Sequence, residues 1–171
     1  SRFFVAYYNV SANLWDWARD SYGDGTSTPY QIVVEPSTNS AYIAGYNTGR
    51  EEWDGGAFQS NPQSTYAGFV VKYTDDGTFL WGQNTAGQSC FGGSCGVYFN
   101  NIIIHPDGGV VVGGNYLQTY KKQTGTVVNG QGSWDVLLLR YDENGTQLWD
   151  YNAGGSGCLL YTSPSPRDST L

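Results

Sequence analysis

The residues best suited to contact a ligand are clustered in one short segment that places an aromatic side chain among carboxylates. The segment consists of Arg50, Glu51, Glu52, Trp53 and Asp54. An indole ring can stack on a sugar ring or an apolar patch, and adjacent carboxylates can accept hydrogen bonds or bind a cation. The segment therefore predicts a ligand-binding loop, and the alternative is a solvated loop that is anchored by Trp53.

A second candidate contact site combines a phenol with two ammonium groups, in Tyr120, Lys121 and Lys122. Tyrosine offers an apolar ring with a polar hydroxyl, which suits it to contacts with sugars or proteins. Tyr116 and Trp134 are close in sequence. They flank expected strands, so we expect them to pack within the fold.

Cys90 and Cys95 enclose a short segment that reads Phe-Gly-Gly-Ser. Two cysteines at this separation can meet disulfide geometry, which is the expected use in an oxidising compartment, and free thiols are the alternative in a cytosolic protein. The spacing does not match a CxxC zinc motif, and the sequence has no second pair of Cys or His residues. We therefore expect a disulfide and no metal site.

No set of residues in the sequence is typical of a catalytic centre. The one histidine, His105, precedes Pro106 at an expected turn, without a nucleophile or an orienting partner. The acidic turns at 75–77 and 142–145 lack the full calcium-loop pattern, and turn chemistry explains them better. We therefore expect no catalytic residue and no cofactor.

Charge and composition narrow the class of fold and of partner. The formal net charge of -7 disfavours nucleic acid or an anionic membrane surface as a partner, because the long-range field repels both. No run approaches the roughly 18 apolar residues that a membrane helix requires. An aromatic share of 16% and 24 glycines are typical of strands that are joined by turns.

Three segments of the chain line up with one another and establish an internal repeat. Each has an apolar run, a tyrosine, a polar turn and then Leu-Trp, at offsets of 66 and 68 residues. The segments are 3–15, 69–81 and 137–149. A second segment, 32–45, recurs at 102–114. Each recurring segment predicts a β-hairpin, because short apolar runs are interrupted by residues that favour turns.

Together the hairpins define a four-stranded unit, with strands A to D at 32–34, 41–45, 69–73 and 78–81. Such units, repeated along the chain with a tryptophan in the last strand, are typical of β-propeller blades. We therefore predict an all-β fold, a partial β-propeller of about two and a half four-stranded antiparallel blades. The expected boundaries are the second half of a blade at 1–25 and full blades at 26–98 and 99–157.

Residues 158–171 do not follow this pattern. Segment 158–168 reads CLLYTSPSPRD and resembles a translated sequencing adapter, and the alternative is a natural Ser/Pro-rich linker. The sequence also opens at Ser1 without a signal-like segment. We therefore expect a non-native tail at 158–171, and we expect the remaining blades of the natural chain to be partners of those present.

The repeat pattern resembles the SBBP repeat family of seven-bladed β-propellers. The resemblance is carried by the apolar strands, the Asp-Gly or Asn-Gly turns, the Leu-Trp pairs and the glycine-rich stretch 153–157. Segment 102–114, with Pro-Asp-Gly-Gly at 106–109, is similar to the related delta-sixty repeats. The spacing of 66 to 68 residues exceeds what is associated with such repeats, which indicates inserted loops. The resemblance implies an extracellular or cell-surface repeat protein.

The lengths of the connections predict where binding would occur. The expected A–B and C–D turns are short, whereas the B–C connections at 46–68 and 115–135 and the D–A connection at 82–101 are long and leave from one face. Long loops on a rigid scaffold commonly carry binding sites. We therefore expect a non-enzymatic, secreted or cell-surface segment that binds a glycan or a protein through this face. The alternative is part of a propeller enzyme, quinoprotein-like or sugar-processing, whose catalytic residues lie in other blades.

Overall fold

The computed structural model describes residues 3–54, 58–60, 66–88 and 95–156. Cys90 and the expected tail at 158–171 therefore lie outside the described residues. None of the described ranges contains a helix with the length and hydropathy of a membrane span. The strands in chain order are β1 (Phe4–Asn9), β2 (Leu14–Gly23), β3 (Thr26–Val34), β4 (Ala41–Thr48), β5 (Glu51–Trp53), β6 (Phe58–Ser60), β7 (Ala67–Tyr73), β8 (Phe79–Ala86), β9 (Gly96–Ile104), β10 (Val110–Lys121), β11 (Val127–Tyr141) and β12 (Gln147–Ala153).

The strands form three separate antiparallel sheets, which confirms the predicted all-β class. The strand orders are β1-β2-β5-β6, β3-β4-β7-β8 and β9-β10-β11-β12, and these are called the first, second and third sheets. The three Leu-Trp pairs of the repeat lie one in each sheet. The arrangement is consistent with part of a propeller-like fold, and the described strands do not close into a ring.

Two turns of matching geometry join the third and fourth strands of the second and third sheets. In the turn after β7, Thr74 N donates to Thr78 O and Gly77 N donates to Thr74 O, at 2.9 and 3.1 Å. The turn after β11 repeats both bonds between residues 142 and 146. Gly77 and Gly145 each have a φ of 80°. This left-handed conformation favours glycine, which explains the Asp-Gly-Thr and Asn-Gly-Thr sequences.

The first sheet is completed by a hairpin from the connection between β4 and β7. Strand β5 pairs with β2, with Ser21 opposite Trp53 and Gly23 opposite Glu51, and β6 then pairs with β5. A Cβ atom on Gly23 would lie 2.0 Å from Arg50 O, so the two backbones approach more closely than any other residue allows. The prediction of a plain loop at 46–68 is therefore wrong, because this connection contains two strands.

The connection predicted as a loop at 115–135 is also a strand pair. Strand β10 continues to Lys121 and β11 begins at Val127, with a register shift beside Gln118, whose φ is 65°. The tip of this pair folds back along β12: Gln123 N donates to Gln147 Oε1 at 2.9 Å and Gln147 N donates to Gln123 Oε1 at 2.7 Å. Gln147 lies at the start of β12, so the tip reaches the opposite end of the sheet.

Two apolar cores lie between adjacent sheets. One core joins Phe3, Val5 and Trp53 of the first sheet to the face of the second sheet that carries Phe69 and Val71. The other core packs the opposite face of the second sheet against the third, and its buried members are Tyr42, Ala44, Val70, Val97, Phe99, Ile102, Val110, Val112, Tyr116, Tyr120, Leu137, Leu139 and Tyr141. Each core has contributions from two sheets, so adjacent sheets depend on each other for burial of their apolar faces.

At each of the two junctions between sheets, a tryptophan indole donates a hydrogen bond to a backbone carbonyl of the next sheet. Trp81 Nε1 donates to Glu143 O at 2.8 Å, and Trp17 Nε1 donates to Asp75 O at 2.7 Å. The sequence repeat aligned Trp15 with Trp81, and this alignment is wrong. Trp15 is 67% exposed and pairs with Tyr8 on the turn side of the register shift in its hairpin. Trp17 and Trp81 both lie on the other side of the register shift, so Trp17 takes the position of Trp81.

Candidate functional site

Trp53 of the first candidate segment is fully buried. Its ring lies 4.5 Å from the ring of Phe69 and 5.6 Å from that of Phe3, both at steep angles. The position fits the anchored tryptophan that the sequence left as an alternative. A sugar-stacking role would require the ring to leave the core between the first and second sheets, so the stacking interpretation is not supported.

The charged residues around Trp53 interact within the protein. Glu51 is buried beside Trp53, Arg50 forms a short ion pair with Glu52, and Asp54 lies 3.5 Å from Arg19 of β2. Among the described residues, no group of three or more His, Cys, Asp or Glu side chains could hold a metal ion. The segment therefore acts in the structure as the strand that docks on β2, and ligand binding by its carboxylates stays a prediction.

In the second candidate site, Tyr120 and Lys122 interact within the protein, and Lys121 is exposed to solvent. Tyr120 is buried, and its hydroxyl donates to Asp150 Oδ2 at 2.6 Å. Lys122 Nζ lies 2.8 Å from Asp150 Oδ1. Burial, together with the hydrogen bond and charge of Asp150, raises the pKa of Tyr120. Of the three residues, only Lys121 is exposed. Tyr120 holds the end of the hairpin against β12, because its hydroxyl is bonded to Asp150.

Lys121 borders a polar groove of about 350 Å³ between the second and third sheets. Thr119 holds the backbone of Gln88, which lines the groove: Gln88 N donates to Thr119 Oγ1 at 2.9 Å, and that hydroxyl donates back to Gln88 O at 2.7 Å. Amide side chains dominate the lining, which consists of Gln83, Asn84, Ala86, Gly87, Gln88, Lys121, Lys122 and Gln123. The groove can exchange hydrogen bonds with a polar ligand, and Lys121 adds one positive charge.

A cluster of five aromatic side chains forms a second surface, which the sequence did not predict as a site. Its members are only partly buried, and Tyr30 is 53% exposed. The ring centroids of neighbouring members are 4.7 to 5.7 Å apart, within the range of favourable aromatic contacts. This aromatic cluster consists of Tyr30, Tyr46, Tyr66, Tyr98 and Trp134.

The aromatic cluster joins the second and third sheets at one end. Tyr98 is the central member, with ring centroids of Tyr46 at 4.7 Å, Tyr66 at 4.9 Å and Trp134 at 5.4 Å. Val97 N also donates to Tyr66 O at 3.1 Å, which fixes the start of β9 beside β7. Burial raises the pKa of Tyr98, and the neighbouring phenols, Tyr66 foremost, raise it further. The phenol of Tyr98 therefore stays neutral at physiological pH.

The register places the aromatic cluster at the end of the sheets from which the long connections leave. Tyr46 is opposite Gly68 at the start of β7, and Tyr98 is opposite Asn115, well away from the turn that joins β9 to β10. Trp134 is opposite Leu117, just before the register shift in β10. The rings therefore lie on the face that the sequence predicted for binding, although on strands rather than on loops.

The sequence signal for this cluster was weak because its members belong to five different strands or strand ends. Trp134 was expected to be a packing residue, and it does pack against Tyr98, but it is only partly buried. Tyr30, Tyr46 and Tyr66 follow no common spacing. Only the pairing of β3 with β4 and the contact of β9 with both sheets brings the rings together.

Cys95 is buried immediately before β9, where a Cβ atom on Gly87 would lie 2.5 Å from its sulfur. This close packing fixes Cys95 against the segment that leaves β8. The Cys90–Cys95 disulfide stays a prediction, because Cys90 lies outside the described residues.

No protein-family model matches the chain, and no curated protein is significantly similar to it. The functional argument therefore depends on the geometry of the described residues.

Proposed function

We propose that this chain is a non-enzymatic recognition segment of a secreted or cell-surface β-propeller protein of the SBBP or delta-sixty type, and that it binds a glycan. The binding surface is the aromatic cluster around Tyr98. The single observation that carries the proposal is the presence of five neighbouring rings, each partly exposed, at one end of two packed sheets.

The chemistry of the aromatic cluster favours a neutral, hydroxyl-rich ligand. Tyrosine and tryptophan rings stack on the apolar faces of sugar rings, while the phenol hydroxyls exchange hydrogen bonds with sugar hydroxyls. None of the five side chains is charged. A protein ligand would use the same rings as anchors, and it is treated as an outcome of the test.

The strands that carry the rings favour pre-organisation. Tyr30 and Tyr46 lie on the paired strands β3 and β4, and Trp134 and Tyr98 lie on β11 and β9 of the third sheet. Side chains on paired strands lose little conformational freedom when they bind, which reduces the entropic cost of recognition. The proposed Cys90–Cys95 disulfide would further restrict the segment that precedes β9, and it fits an oxidising compartment.

The test compares the full chain with its Tyr30→Ala variant on a glycan array. Tyr30 is the most exposed ring of the cluster, at 53%, so its removal should leave the fold unchanged. We expect binding to weaken by about tenfold or more, as is typical for the loss of a stacked ring. Tyr151→Ala is the matched control, because Tyr151 is 59% exposed and lies outside the cluster.

Three results would count against the proposal. Binding of no glycan by the folded full chain would remove its support. Equal losses with Tyr30→Ala and Tyr151→Ala would show that the aromatic cluster is not the site. Capture of a purified protein ligand that is lost in Tyr30→Ala, without glycan binding, would replace the glycan with a protein partner.

A further inference from the structure

The polar groove between the second and third sheets differs in charge from the chain as a whole. The formal net charge of the chain is -7, and it has three lysines. Lys72 is buried, whereas Lys121 and Lys122 both line the polar groove. The described lining contains no Asp or Glu side chain. The groove is therefore a place where an acidic protein presents positive charge to a ligand.

The charge of Lys121 is available to a ligand. Lys122 Nζ lies 2.8 Å from Asp150 Oδ1, so these two charges offset each other. Lys121 is exposed, and it forms no ion pair with another residue in the described part of the chain. The ammonium group of Lys121 can therefore pair with an anion in the groove without giving up an existing partner.

Two amide side chains in the polar groove are also uncommitted. Gln83 and Gln88 are each partly buried, and neither side-chain amide has a hydrogen-bond partner among the described residues. A primary amide carries two donor hydrogens and one acceptor oxygen. By contrast, the Gln123 amide is occupied, because its Oε1 accepts from Gln147 N at 2.7 Å and its Nε2 donates to Gly145 O at 3.1 Å. The groove therefore offers donors and acceptors in addition to one positive charge.

The backbone is held in place at both Gln88 and Lys121. Thr119 exchanges two hydrogen bonds with the backbone of Gln88, at 2.9 and 2.7 Å. Tyr120, which precedes Lys121, donates from its hydroxyl to Asp150 Oδ2 at 2.6 Å. Groups that are held before a ligand arrives lose little conformational freedom, which reduces the entropic cost of binding.

A carboxylated sugar would use every uncommitted group in the polar groove. Its carboxylate pairs with Lys121, and its hydroxyls can donate to and accept from the amides of Gln83 and Gln88. A sulfate ion, or an acidic side chain of a peptide, has acceptors alone and leaves the amide oxygens without partners. The volume of about 350 Å³ lies near the lower limit for small-molecule sites, which suits a ligand of about one sugar residue.

We propose that the polar groove binds a uronic acid residue of an acidic saccharide. The carboxylate lies at Lys121 Nζ, and the sugar hydroxyls lie at the side-chain amides of Gln83 and Gln88. The polar groove shares no residue with the aromatic cluster. It is therefore a second site with its own class of ligand, and it does not depend on glycan binding by the aromatic cluster.

The test is a titration of the full chain with sodium glucuronate, followed by NMR of the side-chain amide groups. We expect saturable shifts of the Gln83 and Gln88 amide resonances at millimolar glucuronate. Glucose has a hydroxymethyl group in place of the carboxylate, so it should bind about tenfold more weakly or worse. Added salt should weaken the binding of glucuronate, because it screens the ion pair with Lys121.

Two substitutions at Lys121 separate its charge from its packing. Lys121→Gln should weaken glucuronate binding by about tenfold, because it removes the ion pair. Lys121→Arg is the matched control and should retain most of the binding, because it keeps the positive charge. Lys121 is exposed, so both variants should fold as the unaltered chain does. Equal losses of binding in the two variants would contradict the role of the charge.

Four further results would overturn the proposal. The first is the absence of any shift of the two amide resonances at about 100 mM glucuronate. The second is equal binding of glucose and glucuronate, and the third is tighter binding of tri-glutamate, which would replace the saccharide with an acidic peptide. The fourth is a loss of glucuronate binding in Tyr30→Ala but not in Lys121→Gln, which would assign the sugar to the aromatic cluster. Failure of neutral glycans to bind the aromatic cluster would leave all four comparisons intact, so the two proposals fail separately.

Discussion

The indole of Trp81 and the backbone of Glu143 connect the second sheet to the third, with Nε1 2.8 Å from the carbonyl oxygen. Trp17 and Asp75 make the same bond between the first and second sheets. The bond brings each tryptophan ring over the glycine of the following turn. Sheet-to-sheet packing in this protein therefore depends on a few positions that can be tested one at a time.

The first prediction concerns Gly145, which has a φ of 80° and lies under the Trp81 ring. Gly145→Ala should lower the free energy of unfolding by about 3 kcal/mol, because backbone strain of about 1 kcal/mol adds to a clash with the ring. Gly125→Ala is the matched control, with a φ of 92° and open space around its Cβ, and it should cost only about 1 kcal/mol. Urea unfolding of both variants measures the difference, and equal costs would contradict the clash.

The second prediction concerns the two tryptophans whose roles the sequence assigned differently. Trp53→Ala should lower the free energy of unfolding by about 3 to 5 kcal/mol, because the ring is fully buried between Phe3 and Phe69. Trp15→Ala should change it by about 0.5 kcal/mol or less, since Trp15 is 67% exposed. Thermal unfolding followed by circular dichroism compares the two, and a small effect of Trp53→Ala would show that the first sheet does not pack as described.

These tryptophans illustrate how much of the fold could be predicted from the sequence. The strands and turns of the four-stranded units follow from local signals, such as the glycine of the turn that ends at Thr78 and the apolar run of β7. The choice between Trp15 and Trp17 was not predictable from spacing, because it depends on the register shift in the pairing of β1 with β2 and on a contact with Asp75, which is distant in sequence.

The candidate site was less predictable than the fold. Segment 50–54 has the composition of a binding loop, but pairing with β2 turns it into a strand and buries Trp53. Tyr120 has the features of a contact residue, but a bond to Asp150 at 2.6 Å holds it inside the fold. The aromatic cluster around Tyr98 arises only when strands from two sheets meet. Long-range pairing overrode local composition in each case.

The third prediction concerns an ion pair of the second sheet that lies where this sheet meets the third. Lys72 and Glu35 have side chains that are only 7% and 6% exposed, with Nζ 3.8 Å from Oε2. Lys72 Nζ also lies 4.8 Å from the centre of the Tyr42 ring. Removal of either charge leaves the other one buried without its partner, so Lys72→Met or Glu35→Gln should each cost about 3 to 5 kcal/mol.

A double-mutant cycle measures the coupling between the two charges. The combined variant Lys72→Met with Glu35→Gln should cost clearly less than the two single changes added together, because it leaves no isolated buried charge. The measurement is the free energy of unfolding of the four proteins in urea. If the loss in the free energy of unfolding of the double variant equalled the sum of the two single losses, the two charges would not stabilise each other.

The fourth prediction concerns stability at alkaline pH. Burial, followed by the negative charge of Asp54, raises the pKa of Tyr73 from 10.0 to about 12. The unfolded chain therefore loses the phenol proton at a lower pH than the folded chain does. The stability that this difference contributes is fully present below pH 10 and is lost as the pH rises toward 12.

Tyr73→Phe isolates this contribution, because it keeps the buried ring and removes the phenol proton. The melting temperature of the unaltered chain should fall between pH 10 and 12, and that of Tyr73→Phe should fall less steeply. Tyr151→Phe is the control, since it removes a phenol that is 59% exposed. Burial also raises the pKa of Tyr141 to about 12, so Tyr141 contributes to the fall of the melting temperature with pH in both variants. The contrary outcome has two parts. The melting temperatures of Tyr73→Phe and of the unaltered chain would fall equally with pH, and the phenolate absorbance would show that Tyr73 ionises near pH 10. The ring would then be in contact with water, and the described packing between the first and second sheets would be wrong.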